Sequence, residues 1–375
     1  MSQAEIMKQN PVKQALNYGQ SIWYDGLVSK PEFEKMIRED GIRGATTNPT
    51  IFEKALNHHD YDAEINALSS THNEEKIYQA LAIRAVQEVA DLFLPVFRET
   101  KGLDGFVSIE VSPLLAFDTE ATIREVRELF RLVDRKNIMI KIPATPQGIP
   151  AIQAVIADGI NVNITLIFSI NRYEEVIAAY LSGLEKRVND GKPISSVVSV
   201  ASFFVSRVDT AVDKLLEDKI KLENDPTRSA LLKNLLGKAG TANSKIAYAA
   251  FERVFSGAQF QRLKTSGAQA QKPLWASTGT KNPNYSDVLY VEALMGPQTV
   301  NTIPPATLDA FRDHGVAGAK LKEGLNEAVE ALKNLREARI DLDSITKDLE
   351  AAGVRSFSDS YEKLIDYIKA KTNNK

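Results

Sequence analysis

Residues 137–168, NIMIKIPATPQGIPAIQAVIADGINVNITLIF, decide the fold. The segment opens on Asn137–Pro143, an apolar run interrupted by Lys141. Ile149, Ile152, Val155 and Ile156 then recur at helical spacing until Gly159 stops them. A second apolar run, Ile160–Phe168, follows at once. Strand, crossover helix and strand in this order make a βα repeat. Strands apolar at nearly every position belong to a parallel sheet covered by helices.

The same alternation extends in both directions. Further candidate strands are Ser21–Asp25, Gly44–Asn48, Gly105–Val111, Ile194–Val205, Pro273–Ser277 and Asn301–Ile303. Eight strands in about 290 residues favour a closed α/β barrel of the (β/α)8 TIM type over an open sheet. Ser29 and Glu32 form a capping box with Pro31 in the first turn, and Gly41 ends that helix. Ile123, Val126, Leu129, Phe130 and Val133 follow Asp118 at helical spacing. Beyond the eighth strand, Leu321, Leu325, Ala328, Val329 and Leu332, then Tyr361, Leu364, Ile365 and Ile368, predict additional C-terminal helices over 316–375, packed on the barrel. Residues 217–241 are a polar surface insertion, so 1–375 is expected to be one barrel domain.

Composition narrows the chemistry. The 375 residues carry 46 Lys and Arg against 49 Asp and Glu, a formal charge of −3 that argues against a nucleic-acid or anionic-membrane partner. Any anion it binds must be small and locally recognised. Cys is absent, which removes disulfides, thiolate metal sites and a cysteine nucleophile. His58, His59, His72 and His314 lack HExxH spacing, and His58-His59-Asp60 is weighed as a solvated loop before a metal site. Gly237-Lys238 lacks the earlier glycine of a P-loop, and no GxGxxG opens a helix after a strand, so no dinucleotide is expected. The polar N-terminal residues and the lack of an 18-residue apolar run give a cytoplasmic expectation.

In a barrel of this kind chemistry gathers at the C-terminal strand ends. Lys141 is the sharpest signal there, a single ammonium in an apolar strand. Such a charge is costly unless paired or neutralised, and a neutral amine attacks carbonyls. The alternative is an ion pair with Glu110 or Asp25. Glu110 and Thr165, each alone on its strand, could hold a water as a proton relay beside the lysine, and Asp25 offers a second acid–base group. Asn48, barred from helical geometry by Pro49, can donate and accept toward a polyol, or cap a helix. Arg207, five residues past Ser202, and Lys281, after Ser277-Thr278-Gly279-Thr280, fit a phosphate site. Phe204, two residues after Ser202, is expected to point into the same barrel mouth. The sequon Asn163-Ile164-Thr165 lies in a predicted core strand and carries no glycosylation expectation.

At these residues the chain resembles the transaldolases, specifically the longer bacterial subfamily, over essentially its whole length. The motifs are Gly44-Ala45-Thr46-Thr47-Asn48-Pro49-Thr50, Met139-Ile140-Lys141-Ile142-Pro143, Asn163-Ile164-Thr165-Leu166-Ile167-Phe168-Ser169 and Pro273-Leu274-Trp275-Ala276-Ser277-Thr278. The resemblance implies a (β/α)8 barrel and a Schiff-base mechanism with no cofactor and no metal. It aligns Lys141 with the imine-forming lysine, Glu110 and Thr165 with the pair that places the catalytic water, and Asp25 with the acid–base aspartate. Asn48 and Ser202 match residues that hold the dihydroxyacetone moiety, and Arg207 and Ser277 match the phosphate site. Shorter transaldolases carry an arginine two residues after the Ser277 equivalent. Here that position is Gly279, and Lys281 is the candidate replacement without bidentate geometry.

The implied reaction moves a dihydroxyacetone unit from sedoheptulose 7-phosphate or fructose 6-phosphate to glyceraldehyde 3-phosphate or erythrose 4-phosphate, in the non-oxidative pentose phosphate pathway. Partners are therefore sugar phosphates, with homo-oligomer formation left open. Two alternatives stand beside it: a fructose 6-phosphate aldolase that releases dihydroxyacetone, and a non-catalytic sugar-phosphate-binding barrel. Borohydride trapping of an imine separates the second alternative from both enzymes.

Overall fold

The computed structural model describes residues 10–56 and 61–373, so His58, His59 and Asp60 lie outside the described residues. Eight parallel strands close into a barrel in sequence order. They are β1 (Gln20–Asp25), β2 (Ala45–Thr46), β3 (Val107–Glu110), β4 (Ile138–Pro143), β5 (Val162–Ile167), β6 (Ser199–Phe204), β7 (Lys272–Ala276) and β8 (Thr299–Ile303). Every predicted strand has its counterpart, and helices connect them as the (β/α)8 reading requires.

Several strands are shorter than the apolar runs that announced them, β2 and β6 most of all. β2 stops early because Asn48 turns out of the sheet, its Oδ1 accepting from the Ile51 N–H at 3.0 Å to start the helix Pro49–Leu56. Residues 194–198 are not part of β6; a turn closes there, with the Val197 N–H donating to the Ile194 carbonyl at 3.1 Å. Helix ends follow local chemistry. The Ser29 N–H donates to Glu32 at 3.0 Å, and the Ala121 N–H to Asp118 at 2.9 Å. Gly159, at φ 90°, takes the left-handed turn that ends Gly148–Asp158.

The barrel is filled, not hollow. Trp23, Phe106, Met139, Val200, Leu274 and Val300 form the interior cluster. Ile140, Ile142, Ile152, Val155, Ile164 and Tyr180 seal strands to helices in the outer layer. Each such side chain contributes about 1.5–3 kcal/mol by leaving water. At Gly44 a Cβ would lie 2.8 Å from the Trp23 ring and 2.6 Å from the Phe106 carbonyl oxygen. Only glycine lets the indole fill that level, where its N–H donates to Asp104 at 2.9 Å.

Residues 217–241 comprise the end of the helix Ser206–Leu222, the helix Pro226–Lys233 and the start of Ala239–Phe255. Leu232, Leu235 and Leu236 from this stretch pack against the interior cluster's helical rim. The helix Leu325–Glu337 lays Ala328 and Ala331 on Ala242. The final helix, Leu342–Asn373, reaches the helices Pro49–Leu56, Glu74–Glu99 and Ser206–Leu222 and touches β5. It therefore crosses the C-terminal mouth of the barrel. Among the described residues, no helix is long and apolar enough to cross a membrane.

Candidate active site

A cavity of about 460 Å³ opens at the C-terminal strand ends. Asp25, Asn48, Lys141, Ser202, Phe204, Arg207, Ser277 and Lys281 all line it. Strands β1, β4 and β6 and the segments that follow β2, β6 and β7 deliver these residues to one place. Among the described residues, the only carboxylate in its lining is Asp25, against the cations Lys54, Lys141, Arg207 and Lys281. A chain of net charge −3 thus concentrates positive charge at one concave site.

Strand register sets Glu110 opposite Lys141 on adjacent strands. Lys141 Nζ lies 3.5 Å from Glu110 Oε2, with both side chains nearly sealed from solvent, and donates to the Thr47 carbonyl at 3.4 Å. The ion pair raised as an alternative at Lys141 therefore exists. It is a poorly satisfied one. Both Glu110 oxygens and the Thr165 hydroxyl are buried with no hydrogen-bond partner among the described protein atoms. A buried polar group without any partner costs about 1–3 kcal/mol, so these oxygens are placed to receive a water or a substrate atom. Burial pushes the Glu110 carboxyl up to about 7, against the pull of Lys141.

Thr165 sits on β5 opposite Pro143, within an irregularity of the β5–β6 pairing between Ile164 and Ile167. There Leu166 adopts φ 59°, a left-handed conformation strained for so bulky a side chain. Its side chain is received by the final helix, where a Cβ on Gly353 would come within 2.8 Å of Leu166 Cδ2. The absent side chain at 353 lets the helix settle on the strand end. One turn later Phe357 lines the cavity, its ring centroid 5.8 Å from Lys141 Nζ. Ser360 then pairs with Thr50 at 2.9 Å, and Tyr361 meets Tyr78 edge to face.

Asp25 accepts from the Thr46 hydroxyl at 2.7 Å, and burial raises its pKa against the pull of Lys141. Ser202 donates to Asn163 Oδ1 at 2.7 Å, whose amide donates onward to Ser108 at 3.0 Å. This chain across three strands fixes the Ser202 rotamer. Phe204 packs its ring 5.0 Å from that of Phe168 and carries the Arg207 guanidinium 5.5 Å from its centroid. Ser277, at φ 55°, pairs its hydroxyl with Ser206 at 2.9 Å while its carbonyl accepts from the Ser206 N–H at 3.1 Å. A left-handed serine costs on the order of 1 kcal/mol, and these two bonds hold it there.

Sequence reasoning missed Phe357, Lys54 and the supporting role of Asn163. The helical row of Phe357, Tyr361, Leu364 and Ile368 announces a buried face, yet nothing local says that a barrel mouth buries it. Lys54 stands one turn into the helix that Asn48 caps.

The chain matches the family described as Transaldolase/Fructose-6-phosphate aldolase over residues 22–368. It is 42% identical over 373 residues to a protein of Trichodesmium erythraeum named Transaldolase, covering 97% of this chain and 98% of that one. A Mycobacterium tuberculosis protein named Transaldolase is 44% identical over 371 residues, covering 96% and 97%. A Nostoc protein named Transaldolase 2 is 42% identical over 371 residues, again covering 96% and 97%.

Proposed function

The chain belongs to the transaldolase/fructose-6-phosphate aldolase family, and from that premise we propose that it is a transaldolase working through an imine on Lys141. The observation that carries the assignment is Lys141, 3.5 Å from the buried Glu110, on the wall of a cavity whose charged residues, among those described, are four cations and one carboxylate. Lys141 Nζ adds to the C2 carbonyl of a ketose phosphate, and a proton from Glu110 lets the C2 hydroxyl leave as water. Asp25 takes the C4 hydroxyl proton as the C3–C4 bond breaks. The aldose phosphate departs, and its bonding pair is held by the protonated imine as an enamine. An acceptor aldehyde adds to that carbon, Asp25 returns the proton, and water held by Glu110 and Thr165 hydrolyses the new imine. Asn48 and Ser202 hold the hydroxyls of the three-carbon unit. Arg207, Ser277 and Lys281 receive phosphate.

Sodium borohydride added with fructose 6-phosphate is expected to leave a stable three-carbon adduct on Lys141, read by mass spectrometry of the digested protein. An unmodified Lys141 under turnover conditions would overturn the imine assignment. We place this chemistry in the cytoplasm, within the pentose phosphate pathway.

Lys281→Ala is expected to raise KM for phosphorylated donors far more than it lowers kcat. Binding energy expressed equally in ground and transition states behaves in this way. Steady-state kinetics decide; an unchanged KM would leave phosphate to Arg207 and Ser277 alone.

The family description names both a transaldolase and a fructose-6-phosphate aldolase, and Phe204 bears on whether dihydroxyacetone is transferred or released. A phenyl ring cannot protonate the retained enamine. Phe204→Tyr adds a hydroxyl at the cavity wall and is expected to raise free dihydroxyacetone relative to sugar transferred. Product partition from fructose 6-phosphate, with and without acceptor, measures this. An unchanged ratio with the imine still trappable would assign Phe204 to packing and to holding Arg207.

A further inference from the structure

The segment that carries Lys281 is fixed from outside the cavity. Within it, the Thr280 hydroxyl donates to the Ser286 carbonyl at 2.8 Å, the Tyr285 N–H to the Asn282 carbonyl at 3.1 Å, and the Asn284 N–H to Asn282 Oδ1 at 3.0 Å. Residues 280–286 thus move as one internally bonded piece. Two phenols anchor that piece and the short helix after it. The Tyr285 hydroxyl donates to Asp213 Oδ2 at 2.8 Å, and Tyr290 to Asp209 Oδ2 at 2.8 Å. Both aspartates sit on the helix Ser206–Leu222, whose second residue is Arg207.

The other oxygen of each carboxylate is also engaged. Asp213 Oδ1 accepts from the Gly237 N–H at 2.9 Å, and Asp209 Oδ1 from the Gly240 N–H at 2.7 Å. These glycines close the polar insertion 217–241. Gly237 adopts φ +68°, and a Cβ there would lie 2.8 Å from the Tyr285 ring. The insertion therefore folds back and braces Tyr285 from behind while its backbone holds Asp213.

We propose that Asp213 and Tyr285 are positioning residues for substrate phosphate, locking the Lys281 segment to the helix that carries Arg207 so that the two cations converge on one anion. This rests on the phosphate role given above to Lys281 and Arg207. A single ammonium lacks the fork of an arginine, so its placement must come from the segment around it. Two hydrogen bonds to each carboxylate supply that placement.

The test uses the full-length protein with two donors, fructose 6-phosphate and unphosphorylated fructose. Tyr285→Phe is expected to raise KM severalfold for fructose 6-phosphate, with kcat near the parent value and the KM for fructose unchanged. In the Lys281→Ala background, Tyr285→Phe is expected to add nothing, because its effect passes through that lysine. Asp213→Asn carries the same expectation, should Tyr285→Phe fail to fold in a thermal melt. Equal effects on both donors, additivity with Lys281→Ala, or no effect at all would overturn the clamp. If Lys281→Ala itself leaves KM unchanged, the phosphate role of Lys281 falls and the clamp falls with it. If Lys281→Ala raises KM while both clamp variants behave as the parent, the clamp falls alone.

Discussion

Replacing Lys141 by alanine is expected to abolish sugar transfer and borohydride trapping together while the barrel still folds. On the proposed mechanism the substitution removes the atom that bonds to C2, and among the described residues no other lysine has a carboxylate arranged against it inside the barrel. Its effect on stability follows from the partner left behind. An uncompensated buried charge would be strongly destabilising. Glu110 escapes that penalty by taking a proton, because burial already holds its pKa near 7 with Lys141 present. Without the ammonium, which lowers it, the carboxyl titrates higher still. A carboxyl raised in the folded state gives stability that is fully present below its unfolded pKa and is lost as pH rises through the folded value. Losing Lys141 moves the upper end of that window upward. Chemical denaturation of Lys141→Ala is therefore expected to show stability still falling with pH above neutrality, where the Glu110 contribution in the parent has levelled off. Transfer activity surviving in this variant would end the Schiff-base assignment.

Glu110→Gln is expected to lower kcat/KM by roughly 10²–10⁴, the usual worth of a positioned acid–base group. The amide keeps shape and volume and cannot exchange the proton. A role confined to pairing with Lys141 would also perturb the rate, so the pH profile separates the two. With the parent carboxyl pushed up to about 7, the proton that Glu110 gives to the departing C2 hydroxyl is lost as pH rises through that value, which shapes the alkaline limb of kcat/KM. That limb is expected to flatten in Glu110→Gln while imine trapping by Lys141 persists, only more slowly. A profile unchanged in shape would assign Glu110 to structure.

Much of this site was written in local sequence because its residues contrast with their surroundings. Lys141, Glu110 and Thr165 each sit between apolar neighbours in runs rich in Ile and Val, where a polar side chain is costly without a task. Asn48 was readable twice over: the proline after it forces an extended backbone, and the structure uses its side chain as a cap while keeping the residue in the cavity wall. Asn163 was harder. Its triplet matches a glycosylation signal, and only the closed barrel shows that its amide joins Ser108 to Ser202. Phe357 gave no distinguishing signal, since its spacing is that of any amphipathic helix.

By itself the sequence determined the eight strands, their parallel order, the helices between them and the strand ends at which polar groups collect. Those are properties of period, capping and φ/ψ, settled within a few residues of where they are read. Tertiary structure alone decided that Glu110 pairs with Lys141 in register, that Gly353 lets the last helix settle on Leu166 and bring Phe357 over the lysine, and that the 217–241 insertion returns to hold Asp213 against Tyr285. Each depends on the fit between surfaces far apart in the chain. Pattern identifies a face to be buried, but the face that covers it is chosen by packing density, shape and hydrogen-bond partners, which exist only once the barrel has closed.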